Sequence, residues 1–307
     1  MLPRRRASLR LWRAAAVAAA ILLPTASAQA LGFPGFHHSK SQPKAQEEEV
    51  VGLLAQIDQA LDERRLVDAG RMLDEAFMSQ ISDPRLLLRS GELHLARGRY
   101  QDAIQSFSDA AKSPSVKAQA LQGKGIALAQ LGRSDEATTS LNAAVQADPS
   151  LWRAWNALGV EADRHHDFTA SEADYANAIK APGVKAYVYN NRGYSRLLQG
   201  RYADASADFV KALELKPDLA QARTNLRLSL ALRGKYSEAT EISGVEDRGA
   251  VLNNAGFAAV MRGDLNEAEN LFQQAVEAHT SSYGRALENL KMVKAMKASP
   301  PVGTAHP

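Results

Sequence analysis

The sequence predicts an all-α protein in which about seven helical hairpins stack into a solenoid and one further helix covers its end. Small residues recur every 34 positions, at Gly91, Gly125, Gly159 and Gly193. Apolar residues lie three and four positions apart on both sides of a glycine near the middle of each repeat, as amphipathic helices require. Prolines near the repeat boundaries end the second helix of each hairpin.

The first thirty residues differ from the rest of the chain. They contain five arginines and no acid, followed by an apolar run of ten residues from Ala14 to Leu23. Small residues then allow a cut after Ala28 or after Ala30. This pattern predicts a secretory signal peptide over residues 1–30, by the Sec or the twin-arginine route. Ten apolar residues reach about 15 Å as a helix, half of a hydrocarbon core, so an uncleaved anchor is the weaker alternative.

Three further segments complete the predicted organisation. Residues 31–46 are interrupted by Gly, Pro and Ser and predict a flexible linker, in which His37 and His38 are solvated rather than metal ligands. Residues 47–298 form the solenoid with its capping helix, and residues 299–307 form a disordered tail.

Composition excludes some classes of function. The chain of 307 residues has a net charge of +3, which becomes −2 without the five arginines of the signal. A weakly acidic body lacks the basic surface of a nucleic-acid binder, so we expect no nucleic-acid partner. The absence of cysteine means that an exported form is stabilised by packing alone and has no lipidated cysteine.

Each repeat has three positions with a defined structural role. The first small residue lets the two helices of the hairpin approach closely. A glycine seven positions later takes the left-handed conformation that ends the first helix. A second small residue lies twelve positions after the first, at Ala103, Ala137, Ser171, Ala205 and Ala239. The first repeat is centred on Ile57 and Ala69, and the last on Gly256, Gly263 and Ala268.

Three departures from the pattern are visible. His166 replaces a turn glycine, and Arg227 replaces the first glycine of its repeat. The repeat that begins near Ala220 lacks five residues of its second helix, which predicts a distorted joint between Gly244 and Gly249. After the last repeat, the stretch SSYGRALENLKMVKAMKA predicts an amphipathic capping helix with a lysine-rich face.

The repeat resembles the tetratricopeptide repeat (TPR) over about Val50 to Ser282. The pattern of that family is met by two sets of residues, Trp155, Leu158, Gly159, Tyr175, Ala178 and Pro182, and then Gly193, Ala205, Phe209, Ala212 and Pro217. The resemblance implies a TPR α-solenoid, a right-handed superhelix whose groove is lined by the first helix of each repeat. Such a groove binds a peptide or helix of another protein.

Places 2, 5, 9 and 12 of the first helices are expected to face this groove. The candidate partner-binding residues are Arg153, Asn156, Asp163, Tyr187, Asn190, Tyr194, Thr224, Asn253 and Phe257. Asparagine at the fifth place has two possible roles, a ladder that binds an extended peptide backbone or hydrogen bonding within the array. Tyr187, Tyr194 and Phe257 are candidate aromatic anchors, whereas Tyr189 is expected between helices.

No catalytic constellation is found, so we expect a non-enzymatic protein without catalytic residues, metal or cofactor. The chain has no cysteine, phosphate-binding loop or nucleophile elbow. His165 and His166 lack the spacing of a zinc site and are expected in a solvated turn. An acid–base pair of Asp163 with His165 would need a pocket that a repeat array does not supply.

A closer resemblance covers residues 152–290. The stretches ALGVEADRHHDFTASEADYANAI, YNNRGYSRLLQGRYADASADFVKAL and LNNAGFAAVMRGDLNEAENLF, with the export signal and the shortened repeat, are similar to the repeat protein of bacterial tight-adherence (Tad/Flp-type) pilus systems. That resemblance implies an exported assembly factor, periplasmic or peripheral to the outer membrane, with secretin or pilus components as partners. An adaptor for a peptidoglycan enzyme or another periplasmic complex is the alternative. In either case we expect no transmembrane span after signal cleavage.

Overall fold

The structure is a computed structural model that describes residues 43–183, 185–242, 247–278 and 283–298. In these ranges the chain forms helices joined by short turns, and no strand is present. The helices up to residue 180 are α1 Pro43–Asp62, α2 Leu66–Met78, α3 Pro84–Ala96, α4 Tyr100–Ala110, α5 Lys117–Gln130, α6 Ser134–Ala147, α7 Trp152–Arg164 and α8 Phe168–Lys180. They are followed by α9 Ala186–Leu198, α10 Tyr202–Leu215, α11 Ala220–Leu232, α12 Tyr236–Glu241, α13 Arg248–Arg262, α14 Leu265–Glu277 and α15 Tyr283–Ala298.

The predicted array of seven hairpins and one capping helix is confirmed. The first helix of each hairpin is odd-numbered from α1 to α13, the second is even-numbered, and α15 follows as the cap. The boundary of the predicted linker is corrected, because α1 begins at Pro43 and residues 43–46 are therefore helical. The predicted signal peptide, the rest of the linker and the tail lie outside the described residues.

Glycines at the turn between the two helices adopt the predicted left-handed conformation. Their φ angles range from 72° to 86° at Gly98, Gly132, Gly200, Gly234 and Gly263. In two repeats a residue with a side chain takes this conformation instead, Arg64 with φ 60° and His166 with φ 59°. Left-handed backbone costs a residue with a Cβ atom about 1–2 kcal/mol, so packing of the flanking helices holds these two turns in place.

The first glycine of the repeat faces a large side chain sixteen residues later on the second helix. A Cβ atom at any of five such glycines would lie between 2.5 and 2.8 Å from that side chain, closer than atoms approach in folded proteins. The five pairs are Gly91 with Phe107, Gly125 with Leu141, Gly159 with Tyr175, Gly193 with Phe209 and Gly256 with Phe272. The glycine therefore sets the distance between the helices in these five hairpins, as the spacing predicts.

The second small residue of the repeat is buried in every hairpin. The exposed fraction is 1% or less at Ala69, Ala103, Ala137, Ser171, Ala205, Ala239 and Ala268. Three second helices end two residues before a proline, with α6 ending at Ala147, α8 at Lys180 and α10 at Leu215. The prolines thus end the hairpins where the sequence places them.

Arg227 has a structural role in the shortened hairpin of α11 and α12. The second helix α12 has only six residues and ends at Glu241. The guanidinium group of Arg227 is buried and donates two hydrogen bonds to the carbonyl oxygen of Ile242, at 2.5 Å from Nη2 and 3.2 Å from Nε. The arginine therefore satisfies a carbonyl just after the end of the short helix, in a place where five other hairpins have a glycine that faces a large side chain.

The predicted joint between Gly244 and Gly249 is corrected at its far end. Helix α13 begins at Arg248, so Gly249 is helical, and its N–H group donates a hydrogen bond of 2.8 Å to Oδ1 of Asp247. Such capping satisfies a backbone donor that the helix itself leaves unpaired. The rest of the predicted joint, residues 243–246, lies outside the described residues.

The chain divides into two compact units, which we call the N-terminal unit, up to Pro182, and the C-terminal unit, from Gly183. Within each unit, successive first helices contact one another, whereas successive second helices are not in contact in the part of the chain that is described. The stack in each unit therefore bends toward its first helices. We call the surface that the first helices form the inner face of the unit.

Candidate functional site

The inner face of the N-terminal unit is charged. At the ninth place of α1 and α3 lie Asp58 and Glu92, and Arg89 of α3 binds both oxygens of Asp58, with Nη2 2.8 Å from Oδ2. Desolvation raises the pKa of Glu92, of whose side chain 37% is exposed. Two arginines oppose this rise, Arg89, whose Nε lies 3.7 Å from Oε2 of Glu92, and Arg153 of α7. Charges on α1, α3 and α7 therefore converge on this face.

The other candidates of the N-terminal unit lie within its packing. Asn156 is 5% exposed. Asp163 accepts a hydrogen bond of 2.8 Å from the hydroxyl group of Tyr175, whose pKa is raised by burial and by this carboxylate. Asp163 thereby ties α7 to α8. His165 and His166 are exposed at the turn, as expected.

The asparagines of the C-terminal unit are bonded between repeats. Oδ1 of Asn190 accepts from Nδ2 of Asn225 at 3.1 Å, and Oδ1 of Asn253 accepts from Nδ2 of Asn289 at 2.8 Å. Asn190 and Asn253 are 6% and 4% exposed. Of the two roles left open for the fifth place, hydrogen bonding within the array is the one that these contacts support.

An apolar row occupies the inner face of the C-terminal unit. Tyr194 of α9, Leu228 of α11 and Phe257 of α13 hold the ninth place and are partly buried against one core cluster. Asn225 of α11 and Asn289 of the capping helix α15 each donate to the asparagine at the fifth place of the preceding first helix, so Met292, three residues after Asn289, corresponds to Leu228. We define the inner apolar row as Tyr194, Leu228, Phe257 and Met292.

Two more candidates lie at the edge of this face. Thr224 is exposed on α11. Tyr187 is partly buried, and the ammonium group of Lys216 lies 5.6 Å from the centre of its ring. Tyr189 packs against the core cluster of Ala186 and Ala212, in agreement with the expected position between helices. Of the predicted aromatic anchors, Tyr194 and Phe257 thus lie in the inner apolar row and Tyr187 lies outside it.

Buried charge is handled differently at one place of two neighbouring repeats. Asp208 of α10 is 4% exposed and accepts from Nη2 of Arg192 at 2.7 Å and from Nη1 of Arg196 at 2.9 Å. Asp174 of α8 holds the same repeat place, 34 residues earlier, where α7 has Leu158 and Ala162 in the arginine positions. Burial, with a smaller effect of the Asp167 carboxylate, raises the pKa of Asp174 to about 6.

The first helices of the two units also differ in charge. In the C-terminal unit, α9, α11, α13 and α15 contain ten Lys and Arg residues and one acid, Glu288. In the N-terminal unit, α1, α3, α5 and α7 contain seven basic and eight acidic residues. Basic residues therefore outnumber acids on the helices that carry the inner apolar row, and four of them, Arg192, Arg196, Lys294 and Lys297, pair with Asp208 or Glu269 of the second helices.

Comparison with known protein families decides the nature of the repeats. Sequence models described as tetratricopeptide repeat match residues 54–117, 88–151 and 186–219. The chain carries tetratricopeptide repeats. Its fold is the TPR α-solenoid, an architecture that binds proteins or peptides.

Two solved structures are similar to the chain at the level of fold. A tetratricopeptide repeat protein from Parabacteroides merdae matches with a TM-score of 0.50 and 16% identity, over 82% of this chain and 99% of that chain. YrrB, described as a TPR protein with an unusual peptide-binding site, matches with a TM-score of 0.50 and 16% identity, over 61% of this chain and 99% of its own.

Curated relatives share only part of their length with this TPR chain. RNA polymerase II-associated protein 3 of Rattus norvegicus is 29% identical over 187 residues, 57% of this chain and 28% of that protein. Protein O-mannosyl-transferase TMTC1 of Homo sapiens is 25% identical over 173 residues, 55% of this chain and 19% of that protein. The chain thus spans less than a third of either relative.

Two kinds of feature are absent from the described residues. There, no group of three or more His, Cys, Asp or Glu side chains is arranged to hold a metal ion. None of the described helices is long and apolar enough to cross a membrane. The sequence-based candidates omitted two members of the inner apolar row. Leu228 holds the predicted ninth place, whereas the place of Met292 becomes evident only when α15 is aligned with the repeats through the Asn289 contact.

Proposed function

We propose that this TPR protein is a non-enzymatic interaction scaffold of the bacterial cell envelope that supports assembly of a tight-adherence pilus or its secretion channel. The observation that carries the scaffold role is the pair of inner faces, one charged and one apolar, formed by contacting first helices. The similarity to YrrB, whose description includes a peptide-binding site, supports a peptide or protein as the ligand. The envelope and the pilus rest on the export signal and the resemblance found in the sequence.

Export is tested with a reporter. We expect residues 1–46, fused to a phosphatase that is active only outside the cytoplasm, to give activity in cells, because the segment has a cationic head and an apolar core. The matched control carries two arginines within the apolar core, as Val17→Arg together with Leu22→Arg, and leaves the cationic head unchanged. Equal activity of the control, or none from the native segment, contradicts the proposed location.

The partner is tested by photo-crosslinking in cells. A crosslinking amino acid at Leu228, on the inner face, is expected to capture a secretin or a pilus component. The same amino acid at Val210, which is 43% exposed on α10, is the control. Capture of a peptidoglycan enzyme would support the alternative adaptor role. The scaffold itself is contradicted when the inner position captures no more protein than the control does.

A further inference from the structure

The inner apolar row has the properties of a docking surface. Tyr194, Leu228 and Phe257 pack on the core below them and keep part of their side chains accessible, and 41% of Met292 is exposed. Burial of accessible apolar area is the main source of affinity in such surfaces. The row is also continuous, because α9, α11, α13 and α15 are in contact one after another.

Two methionines extend this surface at its far edge. Met261 of α13 and Met296 of α15 follow the row by four residues in each helix, and they are 51% and 43% exposed. Methionine is flexible and polarisable, so it adapts to apolar partners of different shape. With Met292, three of the exposed methionines of the described residues thus lie in or beside the inner apolar row.

The occupant of this face must pair its backbone N–H and C=O groups with one another, because the inner apolar row offers them largely apolar side chains. An extended peptide buried on this face would need donors and acceptors for its N–H and C=O groups. The amide oxygens of Asn190 and Asn253 accept from neighbouring repeats, and the row itself offers apolar side chains. A helix pairs its backbone groups internally and presents only side chains, which is what an apolar row accommodates.

The basic residues of the C-terminal unit favour an occupant with acidic residues beside its apolar stripe. Residues 183–307 contain 16 basic and 13 acidic residues, whereas residues 43–182 contain 15 basic and 21 acidic. Arg285 and Lys291 are exposed on α15, the helix that carries the row's last member, and form no ion pair in the described part of the chain. Acidic side chains on the occupant would complement these cations.

From these observations, we propose that the inner face of the C-terminal unit binds an acidic amphipathic helix of a partner protein, with its apolar stripe on the inner apolar row and its Asp and Glu residues beside Arg285 and Lys291. This inference rests on the proposed scaffold function and specifies its ligand. Four helices at a spacing of about 8–10 Å give a row of about 24–30 Å, the length of a helix of about 16–20 residues.

Model peptides test the proposal directly with the full chain. The first is a helix of about 18 residues with leucines three and four positions apart and glutamates elsewhere. The second has lysine in place of every glutamate, and the third has two central prolines that prevent helix formation. Fluorescence anisotropy is expected to show binding of the first peptide at least about tenfold tighter than of either other peptide, with weaker binding at high salt.

Substitutions on the chain locate the site. Met292→Glu is expected to weaken binding of the acidic peptide at least about tenfold, because it places a like charge in the apolar row. Val210→Glu is the matched control, since Val210 is 43% exposed on a second helix of the same unit, and it should leave binding unchanged. The double variant Arg285→Glu with Lys291→Glu should weaken binding of the acidic peptide and strengthen that of the lysine peptide.

Three outcomes overturn the inference: equal binding of the acidic and lysine peptides, tighter binding of the proline peptide, or equal effects of Met292→Glu and Val210→Glu. Circular dichroism of each variant confirms that it is folded. If the peptides fail while Leu228 still captures a partner in cells, only the helix and its charge are wrong. If the peptides do not bind and Leu228 captures no partner, the proposed scaffold function is wrong as well.

Discussion

The inner faces of the two units share one repeat register and carry different chemistry. At the ninth place, the first two repeats of the N-terminal unit have Asp58 and Glu92 and the next two have Ile126 and Val160, whereas every repeat of the C-terminal unit has an aromatic or aliphatic side chain there. The first helices are close to neutral in one unit and carry ten basic residues against one acid in the other. The places that hold hairpins together repeat, and the places that face the groove vary, so architecture and ligand choice are set by different residues of the same helix.

Asp174 and Asp208 show the same contrast in buried charge. Both lie at one repeat place of a second helix, and only Asp208 has two arginines beside it. Partial burial raises the pKa of Asp174 to about 6, whereas the carboxylate of Asp208 lies between two guanidinium groups. Four variants test the differences between the two units.

Asp208→Ala has the largest expected effect, a loss of about 3–5 kcal/mol in the stability of the C-terminal unit. The change removes the carboxylate that both Arg192 and Arg196 bind, and their guanidinium groups lie on side chains that are only 17% and 15% exposed, where loss of a partner costs more than the ion pair contributes. Hydrogen exchange of α9 and α10 measures it. Asp204→Ala is the control, because Asp204 is exposed and pairs with Arg201 on the surface. Equal losses would show that burial of Asp208 has no special role.

Gly193→Leu is expected to cost about 1–3 kcal/mol, because its side chain would enter the space of Phe209. Gly52→Leu is matched to it, since Gly52 is also helical but has no atom within 4 Å of a Cβ position. That control should be neutral or more stable by up to about 1 kcal/mol through helix propensity. An unchanged melting temperature for Gly193→Leu would show that the glycine does not set the helix spacing.

Asp174→Asn is expected to stabilise the protein by about 1–2 kcal/mol at pH 7 and not at pH 4. The folded pKa is about 6 and the unfolded value is about 3.9, so the native state binds more protons between them and loses stability as the pH rises through this window. Asparagine removes that loss. Urea unfolding at both pH values measures it, and a gain of the same size at pH 4 would contradict the assigned cause.

His166→Gly has the smallest expected effect, a gain of about 0.5–1 kcal/mol. Glycine relieves the left-handed conformation at φ 59°, and part of that gain is offset by the greater entropy of an unfolded glycine. The reciprocal variant Gly200→His in the C-terminal unit should lose about as much. Thermal unfolding compares the two, and a loss in His166→Gly would show that its edge contact with Phe168, at 5.8 Å between ring centres, contributes more than the strain.

The hairpins were predictable from the sequence, because glycine, alanine and proline mark sterically required places. Gly193 and Ala205 identify a close approach of helices wherever they recur at the right spacing. The site was predictable only in part, because exposure depends on neighbours that the repeat does not specify. Asn253 holds the fifth place of its helix, which was expected to face the groove. It is buried because α15, a helix outside the repeat pattern, covers it, with Nδ2 of Asn289 2.8 Å from Oδ1 of Asn253.

The start of helix α1 and the role of Arg227 lay beyond sequence reasoning for a related reason. The residues that follow Pro43 are good helix formers and proline is well tolerated in a first turn, so the helix extends back into a segment whose Gly, Pro and Ser residues predicted a linker. Arg227 departs from the repeat at a small residue's place, and only the shortened α12 explains where its guanidinium group goes. The role of a residue that departs from the repeat pattern therefore becomes clear only from its contacts in the structure.

The contacts between each glycine and the side chain sixteen residues later have a consequence for how the chain folds. Every such pair joins two helices that are adjacent in sequence, and the further contacts reach only to the next repeat. Low sequence separation of contacts favours fast folding, and a linear array allows folding to start in more than one hairpin and to spread to its neighbours. A chain that emerges slowly, or crosses a membrane from one end, can therefore form its structure one hairpin at a time.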